Sequence, residues 1–84
     1  MQLGEDLLKS GRLFQALVAF READQEQPLP ESARRQGEIY RLQHDDVLAA
    51  AAYRRCLRLS PSPADAREVR GILDDLRREA PAAP

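Results

Sequence analysis

The chain is 84 residues long and carries 13 basic and 14 acidic side chains, for a net charge of −1. That length allows one domain with a small core, and the charge balance argues against nucleic acid, whose phosphates need a concentrated positive surface. No apolar run approaches the roughly 20 residues that cross a bilayer, and Cys56, the sole cysteine, excludes an intramolecular disulfide.

Met1 to Lys9 reads as a first helix, with Leu3 and Leu7 at i and i+4 and Leu8 widening the stripe. Glu5 and Asp6 stand where a secretory signal carries positive charge, so a soluble, cytoplasmic protein is expected. Ser10-Gly11 closes this helix, since glycine takes the left-handed conformation without steric cost. Arg12 to Glu26 is the second helix. Leu13, Leu17 and Phe20 make one apolar line and Phe14 with Val18 another, which predicts neighbours on both flanks.

Pro28-Leu29-Pro30 is a turn, and Pro30 suits the first position of a third helix running to Leu42. Ala33, Gly37, Ile39 and Tyr40 are its inward residues, and Arg34 with Glu38 forms an i, i+4 pair. The next turn has His44 where the earlier one has Gly11. A left-handed histidine costs on the order of 1 kcal/mol, so this turn is expected to differ in shape. Asp45 caps a fourth helix, Asp46 to Leu59, whose Ala49-to-Ala52 run is a thin face for close approach.

Ser62 and Asp65 fit a capping box, and Pro63 opens a fifth helix reaching Glu79. Val69, Ile72, Leu73 and Leu76 form its apolar face, while Arg67, Arg70, Asp74, Asp75, Arg77 and Arg78 charge the other. One apolar and one charged face is what a terminal helix of a stack requires. Pro81 to Pro84 reads as a tail.

Two stretches are copies of one pattern. Gly4, Leu7, Ala16, Phe20, Ala23 and Pro28 are answered by Gly37, Tyr40, Ala49, Tyr53, Cys56 and Pro61, each 33 positions later. Small, large and small at i, i+4 and i+7 lie on one helical face. Alanine there lets a second helix approach, the aromatic ring fills the space between, and proline stops the helix. Only four residues are aromatic, Phe14, Phe20, Tyr40 and Tyr53, which leaves little material for a deep ligand cavity.

This pattern resembles the tetratricopeptide repeat, which reads Trp-x2-Leu-Gly-x2-Tyr, then Ala-x3-Phe, then Pro. Leu3-Gly4-x2-Leu7, Ala16-x3-Phe20 and Pro28 carry it first, and Gly37-x2-Tyr40, Ala49-x3-Tyr53 and Pro61 carry it again. The leading tryptophan is absent, Ala33 standing in its place in the second copy, and Gln36 replaces the leucine before Gly37. The resemblance implies an all-α fold of five helices, a right-handed superhelical stack of antiparallel helix hairpins. It divides a single domain, 1–80, into repeat one (1–29), repeat two (30–61) and a capping helix (63–79), with a tail at 81–84.

The function so implied is a non-catalytic protein–protein interaction module, an adaptor or scaffold without cofactor, taking a protein or peptide on its concave face. The first helix of each pair lines that face in the family. The matching outward residues are Gln2, Glu5 and Lys9 in copy one and Arg34, Arg35, Glu38 and Arg41 in copy two. The family's chaperone adaptors hold a C-terminal carboxylate with lysine and asparagine. Glu5 and Glu38 stand where an asparagine is expected, so a mixed-charge or helical partner is expected instead. The alternative is self-association, as a homodimer or a piece of a longer array, because such arrays need three or more repeats.

No residue set points to catalysis. His44 is followed by Asp45 and Asp46 with no second histidine, which reads as a solvated turn, and Cys56 holds a small-residue packing position. Arg54, Arg55 and Arg58 make the second copy locally positive, which suits either an acidic partner or plain solubility. Heavy use of arginine, alanine and proline points to a GC-rich bacterial genome.

Overall fold

Proline, glycine and short polar caps divide the chain, and the elements between them are all helical. The computed structural model describes residues 2–59 and 62–79. They form α1 (Gln2–Lys9), α2 (Leu13–Glu26), α3 (Pro30–Leu42), α4 (Asp46–Leu59) and α5 (Pro63–Glu79), with no strand among the described residues. Pro30 opens α3 after an extended Leu29. The Ser62 hydroxyl accepts the Asp65 amide at 3.4 Å at the start of α5. Pro61 and the tail at 81–84 fall outside the described residues.

The two turns within the helix pairs have the same shape, contrary to the expectation from His44. Gly11 has φ +78° and His44 φ +61°. Gly11 N–H donates to Leu8 O at 3.1 Å and Arg12 N–H to Leu7 O at 2.9 Å. In copy two His44 N–H donates to Arg41 O at 3.0 Å and Asp45 N–H to Tyr40 O at 2.9 Å. Both turns thus satisfy the last carbonyls of a helix through a left-handed residue. The histidine is tolerated because its neighbour compensates. Asp45 Oδ1 accepts the Leu48 amide at 3.1 Å, whereas Arg12 makes no side-chain cap. Such a cap contributes about 1 kcal/mol, the same order as the cost of a left-handed histidine.

Within each pair the glycine meets the aromatic ring. A methyl group at Gly4 would stand 2.8 Å from Phe20 Cζ and 3.0 Å from Cε1 and Cε2. At Gly37 it would stand 2.8 Å from Tyr53 Cζ and Cε2. Only residues 10–12 join α1 to α2 and only residues 43–45 join α3 to α4, and helices that touch across so short a turn run antiparallel. Ala16, Phe20 and Ala49 are 0% exposed and Tyr53 1%. The third matched position is less even: Cys56 is buried and Ala23 half-buried.

Two apolar clusters follow. Ala16, Leu17, Phe20 and Ile39 join α2 to α3, with Leu7, Leu8 and Leu13 against them. Ala33, Ala49, Tyr53, Cys56, Val69 and Leu76 join α3, α4 and α5, with Ile72 and Leu73 partly buried beside them. Tyr40 packs on both. The molecule measures 38 × 28 × 19 Å, and the thin dimension matches two helix diameters at ~10 Å each.

The apolar line of Phe14 and Val18 does not find a neighbour. Phe14 is 72% exposed and Val18 38%, so α2 is covered on the Leu17–Phe20 side and open on the other. Leu3 is likewise 67% exposed.

If the glycine contacts set the helix spacing, Gly37→Ala lowers stability by about 1–3 kcal/mol through overpacking against a buried ring. Gly71, with nothing within 4 Å of an added methyl, serves as the control. Gly71→Ala raises stability by about 0.5–1 kcal/mol through helix propensity alone. Urea unfolding followed by circular dichroism measures both.

Candidate functional site

Charged side chains from α1, α3 and α5 meet on one face of the molecule. The Arg35 guanidinium donates from Nε to Glu5 Oε1 at 2.7 Å and from Nη1 to Glu38 Oε2 at 2.9 Å. Arg34 lies 3.8 Å from Glu38 Oε1 through Nε and hydrogen-bonds Glu68 through Nη2. The result is a ladder, Glu5–Arg35–Glu38–Arg34–Glu68, across three helices. The Glu68 hydrogen bond raises the Arg34 pKa and the Glu5 hydrogen bond that of Arg35, so both stay cationic.

The structure therefore brings Glu5, Arg34, Arg35 and Glu38 together, four of the seven residues expected to bind a partner. Lys9 is exposed at the end of α1, Arg41 is half-buried late in α3, and Gln2 is the first residue of α1. Glu68 completes the ladder from α5 and was not among the expected residues. Its only sequence signal is an acidic residue on the first turns of a helix that follows the same proline start as α3.

A second polar group sits between the two helix pairs. Ser32 Oγ donates to Phe20 O at 3.0 Å. Gln36 Nε2 donates to Asp24 Oδ2 at 2.9 Å, and Arg55 Nη2 donates to Gln36 Oε1 at 2.9 Å. Arg55 Nη1 also reaches Asp24 Oδ2 at 3.4 Å. Gln36 is 1% exposed and Ser32 0%, so these bonds satisfy buried groups that would otherwise cost about 1–3 kcal/mol each. Gln36 thus links α2, α3 and α4. Asp24 Oδ1 is buried without a partner.

Beside this seam a cleft of about 580 Å³ opens between α2 and α4, lined by Arg21, Arg54, Arg55, Arg58, Leu48 and Tyr40 among others. Arg21, Arg55 and Arg58 continue into an adjoining hollow of about 420 Å³ with Asp24, Pro28 and Leu59. Asp24 is the one acidic residue lining either.

His44 is exposed in its turn. Burial raises the Cys56 thiol pKa, which leaves it protonated and a poor nucleophile at neutral pH. Among the described residues no group of three or more His, Cys, Asp and Glu could hold a metal ion, and no helix is long and apolar enough to cross a membrane. Comparison with protein-family models, curated proteins and solved structures gave no match.

The seam yields a direct test. Gln36→Leu adds apolar surface but takes the 2.9 Å donor from Asp24, leaving that carboxylate only the 3.4 Å contact with Arg55, and removes an acceptor from Arg55. The expected outcome is a loss of about 1–2 kcal/mol in urea unfolding; a gain would mean that Gln36 is only a packing residue.

Proposed function

We propose that this chain is a tetratricopeptide-like interaction module: two helix hairpins and a capping helix in a right-handed stack, without catalytic activity of its own. The observation that supports this best is the equivalence of the Gly4–Phe20 and Gly37–Tyr53 contacts, together with two turns of one shape. A chain whose recurring letters are spent on fitting helices together leaves its exterior for recognition. A cytoplasmic adaptor or scaffold is the corresponding role, with a protein or peptide as partner.

The face formed by α1, α3 and α5 is the proposed docking surface, with Gln2, Glu5, Lys9, Arg34, Arg35, Glu38 and Arg41 as its contact residues. Its ladder does not forbid binding. Arg34, Arg35 and Glu38 are roughly a third exposed, and ion pairs of that kind contribute about 0–1 kcal/mol each. A partner carrying its own carboxylates and guanidinium or ammonium groups can exchange with them at little cost.

Self-association is the second reading, supported by the exposure of Leu3, Phe14 and Val18 at the α1–α2 end. A second copy covering that end would supply the neighbour that the apolar line of α2 lacks.

Affinity capture from the native lysate, wild type beside the Arg34/Glu38/Arg41 triple alanine, tests the docking surface. The expected result is a partner retained by the wild type and lost by the triple variant. A partner retained equally by both would overturn the choice of face. A dimer in sedimentation with nothing captured would favour self-association.

A further inference from the structure

The arginines of this chain fall into two groups. Arg34 and Arg35 are held by Glu5, Glu38 and Glu68, and on α5 Arg77 and Arg78 sit against Asp74 and Asp75. Arg21, Arg54 and Arg58 make no ion pair among the described residues, yet they gather with Arg55 along the cleft between α2 and α4. Asp24, the one acid lining that cleft, is already engaged by Gln36 and Arg55. Glu22 and Glu26 are exposed on α2 but do not line it. Uncompensated cations that converge on one hollow repel one another, and an anionic occupant relieves that repulsion.

The cleft also has apolar walls. Tyr40, Leu48, Ala51 and Ala52 line the larger part and Leu59 the smaller, and Leu48 is 45% and Leu59 39% exposed. Phosphate backbones gain nothing from such walls, and a chain of net charge −1 attracts a long polyanion weakly. We propose that the α2–α4 cleft is a docking site for an acidic, amphipathic segment of a partner protein. Its carboxylates pair with Arg21, Arg54 and Arg58, and its apolar side chains lie on Leu48 and Leu59. Arginine suits this role because its planar fork takes a carboxylate by two parallel hydrogen bonds. The site deepens the interaction reading but lies on a different face from the Glu5–Glu68 ladder, and the two fail separately.

The test uses a fluorescein-labelled peptide of Glu-Glu-Leu-Leu repeats, titrated with the full chain and read by fluorescence anisotropy. The wild type is expected to bind it, with affinity falling as salt rises. A Lys-Lys-Leu-Leu counterpart is expected not to bind. Arg21→Glu with Arg58→Glu should weaken binding roughly tenfold or more. Arg67→Glu with Arg70→Glu changes the net charge equally on exposed α5 positions and should leave affinity within about twofold. The Arg34/Glu38/Arg41 triple alanine should also bind as the wild type does. Circular dichroism checks that each variant folds, and the milder Arg21→Gln with Arg58→Gln pair should fall between wild type and charge reversal. Absence of binding to the acidic peptide overturns the proposal. So does equal weakening by the α5 pair, loss in the Arg34/Glu38/Arg41 variant, or tighter binding of single-stranded oligothymidylate than of the peptide.

Discussion

A glycine lying against an aromatic ring is the constraint on which this structure depends. With no Cβ at Gly4 and Gly37, α1 and α3 approach α2 and α4 closely enough for Phe20 and Tyr53 to be enclosed completely. A side chain at either glycine would force the helices apart, and a protein interior packed to crystal-like density has no slack to absorb that. The alanines one turn before the rings, Ala16 and Ala49, are fully buried for the same reason.

Between the pairs the chemistry changes. Leu17, Phe20 and Ile39 continue the apolar core from α2 to α3, but beside them lies the Ser32, Gln36, Asp24 and Arg55 group, whose bonds have definite geometry. Apolar contacts supply affinity without direction, whereas buried hydrogen bonds penalise any other register. The seam therefore orients one pair on the next. The outer ladder, being partly solvated, adds little stability.

Much of this was legible in the residues alone. Gly11, Pro30 and Pro63 marked helix ends because each has one dominant backbone consequence, and the structure follows them to within a residue. The His44 turn departs from expectation because the local cost of a left-handed histidine comes with a local compensation, the Asp45 cap. Phe14 and Val18 exposed a different limit: periodicity reveals that a helix has an apolar line, not whether anything lies against it. The outward residues of α3 were identifiable from their register, yet their pairing with Glu5 and Glu68 joins positions far apart in the chain. Gln36 was visible as a departure, and its reason emerged only with Asp24 and Arg55 in place.

The functional reading rests on the same repetition, since helices that exist to fit together leave two charged faces of opposite character outside. On one face Arg34 and Arg35 are paired with carboxylates. Along the α2–α4 cleft Arg21, Arg54 and Arg58 make no ion pair among the described residues, and the two proposed surfaces rest on that difference. The most direct measurement is a set of nuclear Overhauser contacts in the full chain. The account predicts contacts from the Gly4 Hα protons to the Phe20 ring and from the Gly37 Hα protons to the Tyr53 ring, each pair shifted upfield by the ring it faces. Their presence in one copy and absence in the other would contradict the duplication, and with it the surfaces built on it.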